Sequence, residues 1–185
     1  MLETGPEENL TAGMDELLAA LERLYQEVDR HASLLDGQHG ERLRCRRGCT
    51  ACCVDEISVY AVEAENIRRH HGAWLATATP HPAGACAFLD EAGACRIYAQ
   101  RPYVCRSHGY PLRWLDETES GAVELRDICP LNEAGEPIET LPAALCWTIG
   151  PVEEALAKLQ YLADGGAMRR VRLRTLFGEA TAPKR

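Results

Sequence analysis

Apolar residues recur at helical spacing near both ends of the chain and lose that rhythm in the middle. Leu17, Leu18, Leu21, Leu24, Tyr25, Val28, Leu34 and Leu35 fall close to i, i+3, i+4, i+7, which predicts an amphipathic helix over residues 11–36, ended by "DGQHGERLR". "SVYAVEAENIRRHHG" predicts a second helix, with Ser58 as its cap, Val59, Val62 and Ile67 on one face and Gly72 just past its end. Near the C-terminus, Gly150 and Pro151 open a third pattern, "VEEALAKLQYLADGG", with Leu156, Leu159 and Leu162 as the stripe. A further short helix is predicted over Ala167–Phe177, and "GEATAPKR" reads as a frayed tail.

Between these helices the alternation breaks down. Pro and Ala loosen residues 76–85; "CAFLDEAGAC" then suggests a short hairpin turning over Asp90–Gly93, with Cys86 and Cys95 at its outer ends. "RIYAQRPYVCRSHGYPLRW" supports one helical turn before Pro102, then a loop, then a strand. The fold class expected is mainly α with an irregular cysteine-rich centre, a small α+β protein whose helices pack around a metal-bound loop region with a short hairpin. One domain, 1–185, is expected, with a helical extension at 11–43, a cysteine-cluster region at 44–132 and a helical region at 133–185.

Composition sharpens this picture. Of 185 residues, 46% are hydrophobic, largely Ala and Leu, so a sizeable core is possible without crosslinks. A formal charge of −8 makes a nucleic-acid partner an unpromising expectation, because that affinity rests on clustered positive charge. The basic run "MRRVRLR" is read as a solvated helix face. Acids near the start, no long apolar stretch and an odd count of nine Cys together suggest a cytoplasmic chain whose thiols are ligands or redox centres, with no membrane partner.

The chemistry concentrates at "RCRRGCTACC", where Cys45, Cys49, Cys52 and Cys53 fall within nine residues. As a straight helix, this stretch would hold Cys45 and Cys53 about 12 Å apart along the axis, whereas sulfurs around one tetrahedral ion lie about 4 Å apart. A knuckle turning at Gly48 would instead give Cys49 and Cys52 the C-x2-C ligand spacing. Adjacent side chains on extended backbone point to opposite sides, so Cys52 and Cys53 are expected to serve two metal positions, in two nearby sites or one polynuclear cluster. Cys86, Cys95, Cys105 and Cys129 bring the set to eight, twice the four-thiolate count of a zinc or iron–sulfur site.

Several neighbours are candidates for support. Arg44, Arg46, Arg47, Arg96, Arg101 and Arg106 lie within a few residues of a Cys, in a chain with 18 Arg and two Lys, and would offset thiolate charge. His108 stands three residues after Cys105, as a possible ligand or as a donor to one. His70 and His71 are expected at a helix C-terminus, where a cation is favourable, and Cys146 as a small buried hydrophobe. Cys45-x3-Cys49-x2-Cys52 also matches the loop of radical S-adenosylmethionine enzymes, but the chain after it lacks their long run of alternating strands and helices.

Taken together, "CRRGCTACC", "CAFLDEAGACRIYAQRPYVCRSHGYPL" and "DICPLN" resemble the YkgJ-type cysteine-cluster family, described as a zinc- or iron-chelating CxxCxxCC domain, over roughly Arg44–Asn132. The resemblance implies metal binding through Cys45, Cys49, Cys52, Cys53, Cys86, Cys95, Cys105 and Cys129, with Tyr98, Arg101, Pro102 and Arg106 as supports. It implies zinc or iron, including an iron–sulfur cluster, and no defined reaction. An iron-dependent enzyme and a zinc-stapled interaction module stand as alternatives to a chelating module, with metal ions the one partner named.

Overall fold

The computed structural model describes residues 6–119 and 121–178, with side chains from residue 13 onward. The first helix, α1, runs Pro6–His39, past both predicted ends. Leu18, Leu21, Tyr25, Val28, Ala32 and Leu35 are its buried stripe, alternating three and four residues apart as a helix facing one core requires. Asp36–His39 continues the helix because His39 is itself a packing residue: it is buried, and its Nε2 lies 2.7 Å from the Leu145 carbonyl.

The second helix differs from expectation at both ends. Ser58–Tyr60 is strand β1, so Ser58 is no cap, and α2 spans Ala61–Leu75, so Gly72 lies within it. Tertiary contacts overrule the local signals here. Ser58 and Tyr60 are held by cross-strand pairing, and the first two amides of α2 find partners outside it: Ala61 donates to the Arg169 carbonyl and Val62 to Oε1 of the fully buried Gln160, each at 3.0 Å. His70 and His71 also sit inside α2, where His70 Nε2 meets Glu22 at 3.1 Å and His71 Nε2 meets Gln100 at 2.9 Å, so the helix-end role predicted for them does not apply.

After an irregular stretch, α3 (Tyr103–Ser107) replaces the loop predicted after Pro102. Strands β2 (Leu112–Thr118) and β3 (Gly121–Asp127) form an antiparallel hairpin pairing Leu112 with Asp127 and Thr118 with Gly121. Short β4 (Trp147–Thr148) adds in parallel to β2, giving the order β3-β2-β4. Helix α4 (Pro151–Asp164) starts where the sequence placed it, with Gly150 at φ +128° before it, Glu153 accepting from the Gly150 N–H at 2.6 Å, and Gly165 closing it at φ +65°; of the expected stripe Leu156 is buried, whereas Leu162 is exposed and the fully buried Gln160 faces the interior instead. The helix predicted over Ala167–Phe177 is instead strand β5 (Arg170–Arg172) and a 3-10 turn, because Val171 pairs with Val59 and the basic run is drawn into a two-stranded sheet. Most of the predicted tail lies outside the described residues. The molecule is thus a mainly helical, small α+β fold.

Two apolar clusters share α2 between them. The first gathers the α1 stripe with Val62, Tyr103, Trp147 and Leu156. In the second, Val59, Ala64, Ile67 and Leu75 meet Phe88, Leu89, Ile97, Leu173 and Leu176, with buried Cys86 among them and Cys53 and Cys95 packed against them. The cysteine-rich middle is therefore fastened to the second cluster. Among the described residues, no helix is long and apolar enough to cross a membrane.

Candidate metal centre

The segment 44–54 is a chain of tight turns and not a helix. Gly48 sits at φ +87°, and the Cys49 N–H returns to the Arg46 carbonyl at 2.9 Å, which forms the predicted knuckle. Glycine is needed again where the second loop touches it: a Cβ on Gly93, at φ +75°, would lie 3.1 Å from Thr50 Cγ2 and 3.6 Å from the Gly48 carbonyl. Around Gly93, the Asp90 carboxylate collects the Ala92 and Ala94 N–H groups at 2.9 and 2.7 Å, and Leu89 bridges Cys95. The short hairpin predicted from "CAFLDEAGAC" is this turn, reduced to a single bridge.

The adjacent pair is not extended. Val54 donates to the Cys52 carbonyl at 3.0 Å, a three-residue turn centred on Cys53, and the two neighbouring sulfurs lie together. The Cys53 thiol donates to the Cys52 sulfur, which lowers Cys52 to about 6 against the pull of burial and with help from nearby His108; Cys53 is correspondingly pushed far up. Cys52 is exposed, whereas Cys53 is half-buried.

Around this pair the other thiols fall into two neighbourhoods. On one side, Cys86 donates its N–H to the Cys53 carbonyl at 2.8 Å, and Leu89 donates to the Cys86 carbonyl at 3.1 Å. Cys53, Cys86 and Cys95 thereby share the second apolar cluster. Cys105 enters from α3; burial pushes it up to about 12, and the sulfurs of Cys86, Cys95 and Cys52 add to the rise. Burial likewise raises Cys86 and Cys95.

On the other side, Cys45 is tied to the segment carrying Cys129 by one residue. Asn132 is fully buried; its Nδ2 donates to the Cys45 sulfur at 3.4 Å and to the Gly109 carbonyl at 2.7 Å, while its Oδ1 accepts from the Arg44 N–H at 2.8 Å. Its own N–H returns to the Cys129 carbonyl at 2.7 Å. Partial burial pushes the Cys45 thiol up, the Asn132 N–H draws it back, and nearby Cys49, Cys129 and Cys52 add to the rise. Asn132 was missed in the sequence because an amide three residues after a Cys resembles any other loop amide. The signal that could have found it is its place in "DICPLN".

The predicted supports are placed unevenly. Arg106 is buried and turned toward α1: NH1 meets Asp29 at 2.5 Å, Nε and NH2 donate to the Arg101 and Ala99 carbonyls, and its carbon lies 4.1 Å from the Tyr25 ring centre. Arg101 also reaches Asp29, at 3.3 Å, and covers the exposed Tyr98 ring. This trio orients the loop between Cys95 and Cys105. Arg96 donates from NH1 and NH2 to the Thr79 and Ala87 carbonyls over Trp74, leaving its Nε without a partner, and His108 is the exposed imidazole that acts on Cys52. Arg174, read only as part of a basic run, donates to Asp55 and to the His81, Pro82 and Ala85 carbonyls, clamping the chain just before Cys86. Cys146 is buried outside both groups, 3.6 Å from Arg126 NH1.

Among the described residues no three of these ligands converge on one point as tightly as a bound ion would hold them. The donor set nonetheless suits a borderline or soft metal, since thiolates in fours are the usual ligands of zinc and of iron–sulfur centres. Residues 44–130 match the model of the CxxCxxCC family, described as a putative zinc- or iron-chelating domain. This stretch of the chain is similar to that family's domain. No match to a curated protein or to a solved structure was found. The CxxCxxCC segment accounts for both thiol neighbourhoods, while α1 and α4 flank it in sequence and build the first apolar cluster.

Proposed function

We propose that the chain is a metal-chelating module with two adjoining four-thiolate sites, Cys45, Cys49, Cys52 and Cys129 forming one, and Cys53, Cys86, Cys95 and Cys105 the other. The observation that carries this reading is the seam at Cys52 and Cys53. Cys53 belongs with Cys86 and Cys95 in the second apolar cluster, whereas Cys45 is joined to the Cys129 turn through Asn132. Bound zinc would crosslink loops that have little apolar packing of their own, and bound iron–sulfur would add one-electron chemistry. His108 and Asn132 support the first site, and Arg101 and Arg106 hold the loop carrying Cys105.

Anaerobic purification with elemental analysis tests the reading. Two zinc ions per chain with no colour, or two iron–sulfur centres absorbing near about 400 nm, are the outcomes expected. Cys52→Ser and Cys53→Ser should each lower metal content by about half. One mononuclear ion per chain, or full loading of both variants, would overturn the two-site assignment.

A further inference from the structure

Both thiol groups have members of intermediate exposure, Cys49 and Cys129 in one and Cys53, Cys95 and Cys105 in the other, and they differ at their extremes. Cys86 is 8% exposed, and the apolar side chains of Phe88, Leu89 and Ile97 fill the space around its group. Cys45 and Cys52 are exposed, as are the neighbouring Arg44, Arg46, Arg47 and His108. Among the described residues, none of those three arginines has a carboxylate within ion-pair distance, although the chain carries 28 acids.

We propose that the inner group, Cys53, Cys86, Cys95 and Cys105, is a structural site, whereas the outer group, Cys45, Cys49, Cys52 and Cys129, is an exchange site that hands its ion to an anionic thiol ligand. This inference rests on the two-site reading above. Transfer from a closed four-thiolate site begins when an incoming sulfur reaches the ion, so an apolar wall slows it and an open face permits it. In each step the sulfur of the incoming thiol bonds to the ion, one cysteine thiolate leaves, and the proton lost by the incoming thiol passes to that cysteine. The ion keeps its oxidation state. A chain of net charge −8 carrying a four-thiolate centre repels anions in general, and the exposed Arg44, Arg46 and Arg47 provide the approach along which a carboxylate-bearing thiol is drawn in.

The full chain loaded with two cadmium ions, challenged with mercaptosuccinate and followed by cadmium NMR, tests this. One resonance should disappear at least about tenfold faster than the other, as expected when one site is open and the other walled in. Alkylation of the half-emptied wild-type chain, read by mass spectrometry, should mark Cys45, Cys49, Cys52 and Cys129 first. Raising the salt, or changing all three arginines to alanine, should slow mercaptosuccinate to the rate of the neutral mercaptoethanol. Equal loss from both sites, first alkylation of the inner four, or insensitivity to salt and to the arginine changes would overturn the exchange role while leaving two-site binding intact. Uptake of fewer than two cadmium ions would instead overturn the two-site reading beneath it.

Discussion

Asn132 shows how much one side chain can organise. Its amide joins the Cys45 sulfur, the Gly109 carbonyl and the Arg44 N–H, so three separate stretches meet at a fully buried group. Asn132→Asp retains an acceptor for Arg44 but cannot donate to the sulfur when ionised. Outer-site metal affinity should fall by about tenfold in a chelator competition, with a shift in the cobalt–thiolate charge-transfer band that a purely structural role would not produce. Gly109 is constrained by the same sulfur: at φ +105°, a Cβ there would lie 2.9 Å from Cys45 Sγ. Gly109→Ala should therefore cost the metal-free chain about 1–3 kcal/mol in denaturant unfolding. Neither residue stood out in the sequence, because a loop Gly and a loop Asn acquire a role only through what faces them.

Among the elements, α2 holds the structure's one deeply buried glutamate among the described residues, and its partners explain it. Glu63 accepts from the Tyr25 hydroxyl at 2.8 Å, the Tyr103 N–H at 2.9 Å and the Tyr60 N–H at 3.2 Å, linking α1, α3 and β1 through one carboxylate. Glu63→Ala leaves three donors without that acceptor and should lower unfolding free energy by about 3 kcal/mol, measured by denaturant titration. The Cys53 segment depends on Asp55, whose carboxyl is held below the ordinary aspartate range by the Gly84 N–H at 3.0 Å and by Arg174. A depressed folded value means its contribution is present above the ordinary aspartate pKa and is lost as pH falls through the lowered one. Wild type should thus lose thermal stability between about pH 5 and pH 3 more steeply than Asp55→Asn, monitored by circular dichroism. The strand expected at "PLRW" is the start of β2, but β3 and the hairpin it forms went unread because exposed strands with charges on both faces carry little apolar alternation, while β5 differs from the helix expected there because its pairing with β1 is invisible in its own residues.

For the whole molecule, the division into two apolar clusters predicts what metal removal does. The first cluster contains no thiol, so α1 and α4 should keep their amide protection after chelation. The second contains Cys86 and packs Cys53 and Cys95, so residues 44–54 and 86–95 should exchange faster by hydrogen-exchange mass spectrometry while far-ultraviolet helical signal is largely retained. Equal loss of protection everywhere would show one cooperative unit instead.

Local order was legible from the sequence because its causes are local. Helical periodicity and the Gly150–Pro151 start identified the interiors of α1 and α4, and thiol spacing anticipated the turn at Gly48, since each depends on residues a few positions apart. Which thiols keep company was decided only in three dimensions. Cys45 and the Asn132 amide that holds it are separated by 87 residues, and nothing within either segment encodes the other. The tertiary structure also decided that Cys86 is buried while Cys45 and Cys52 are exposed, because burial is a property of what packs over a sulfur and not of the sulfur's place in the chain.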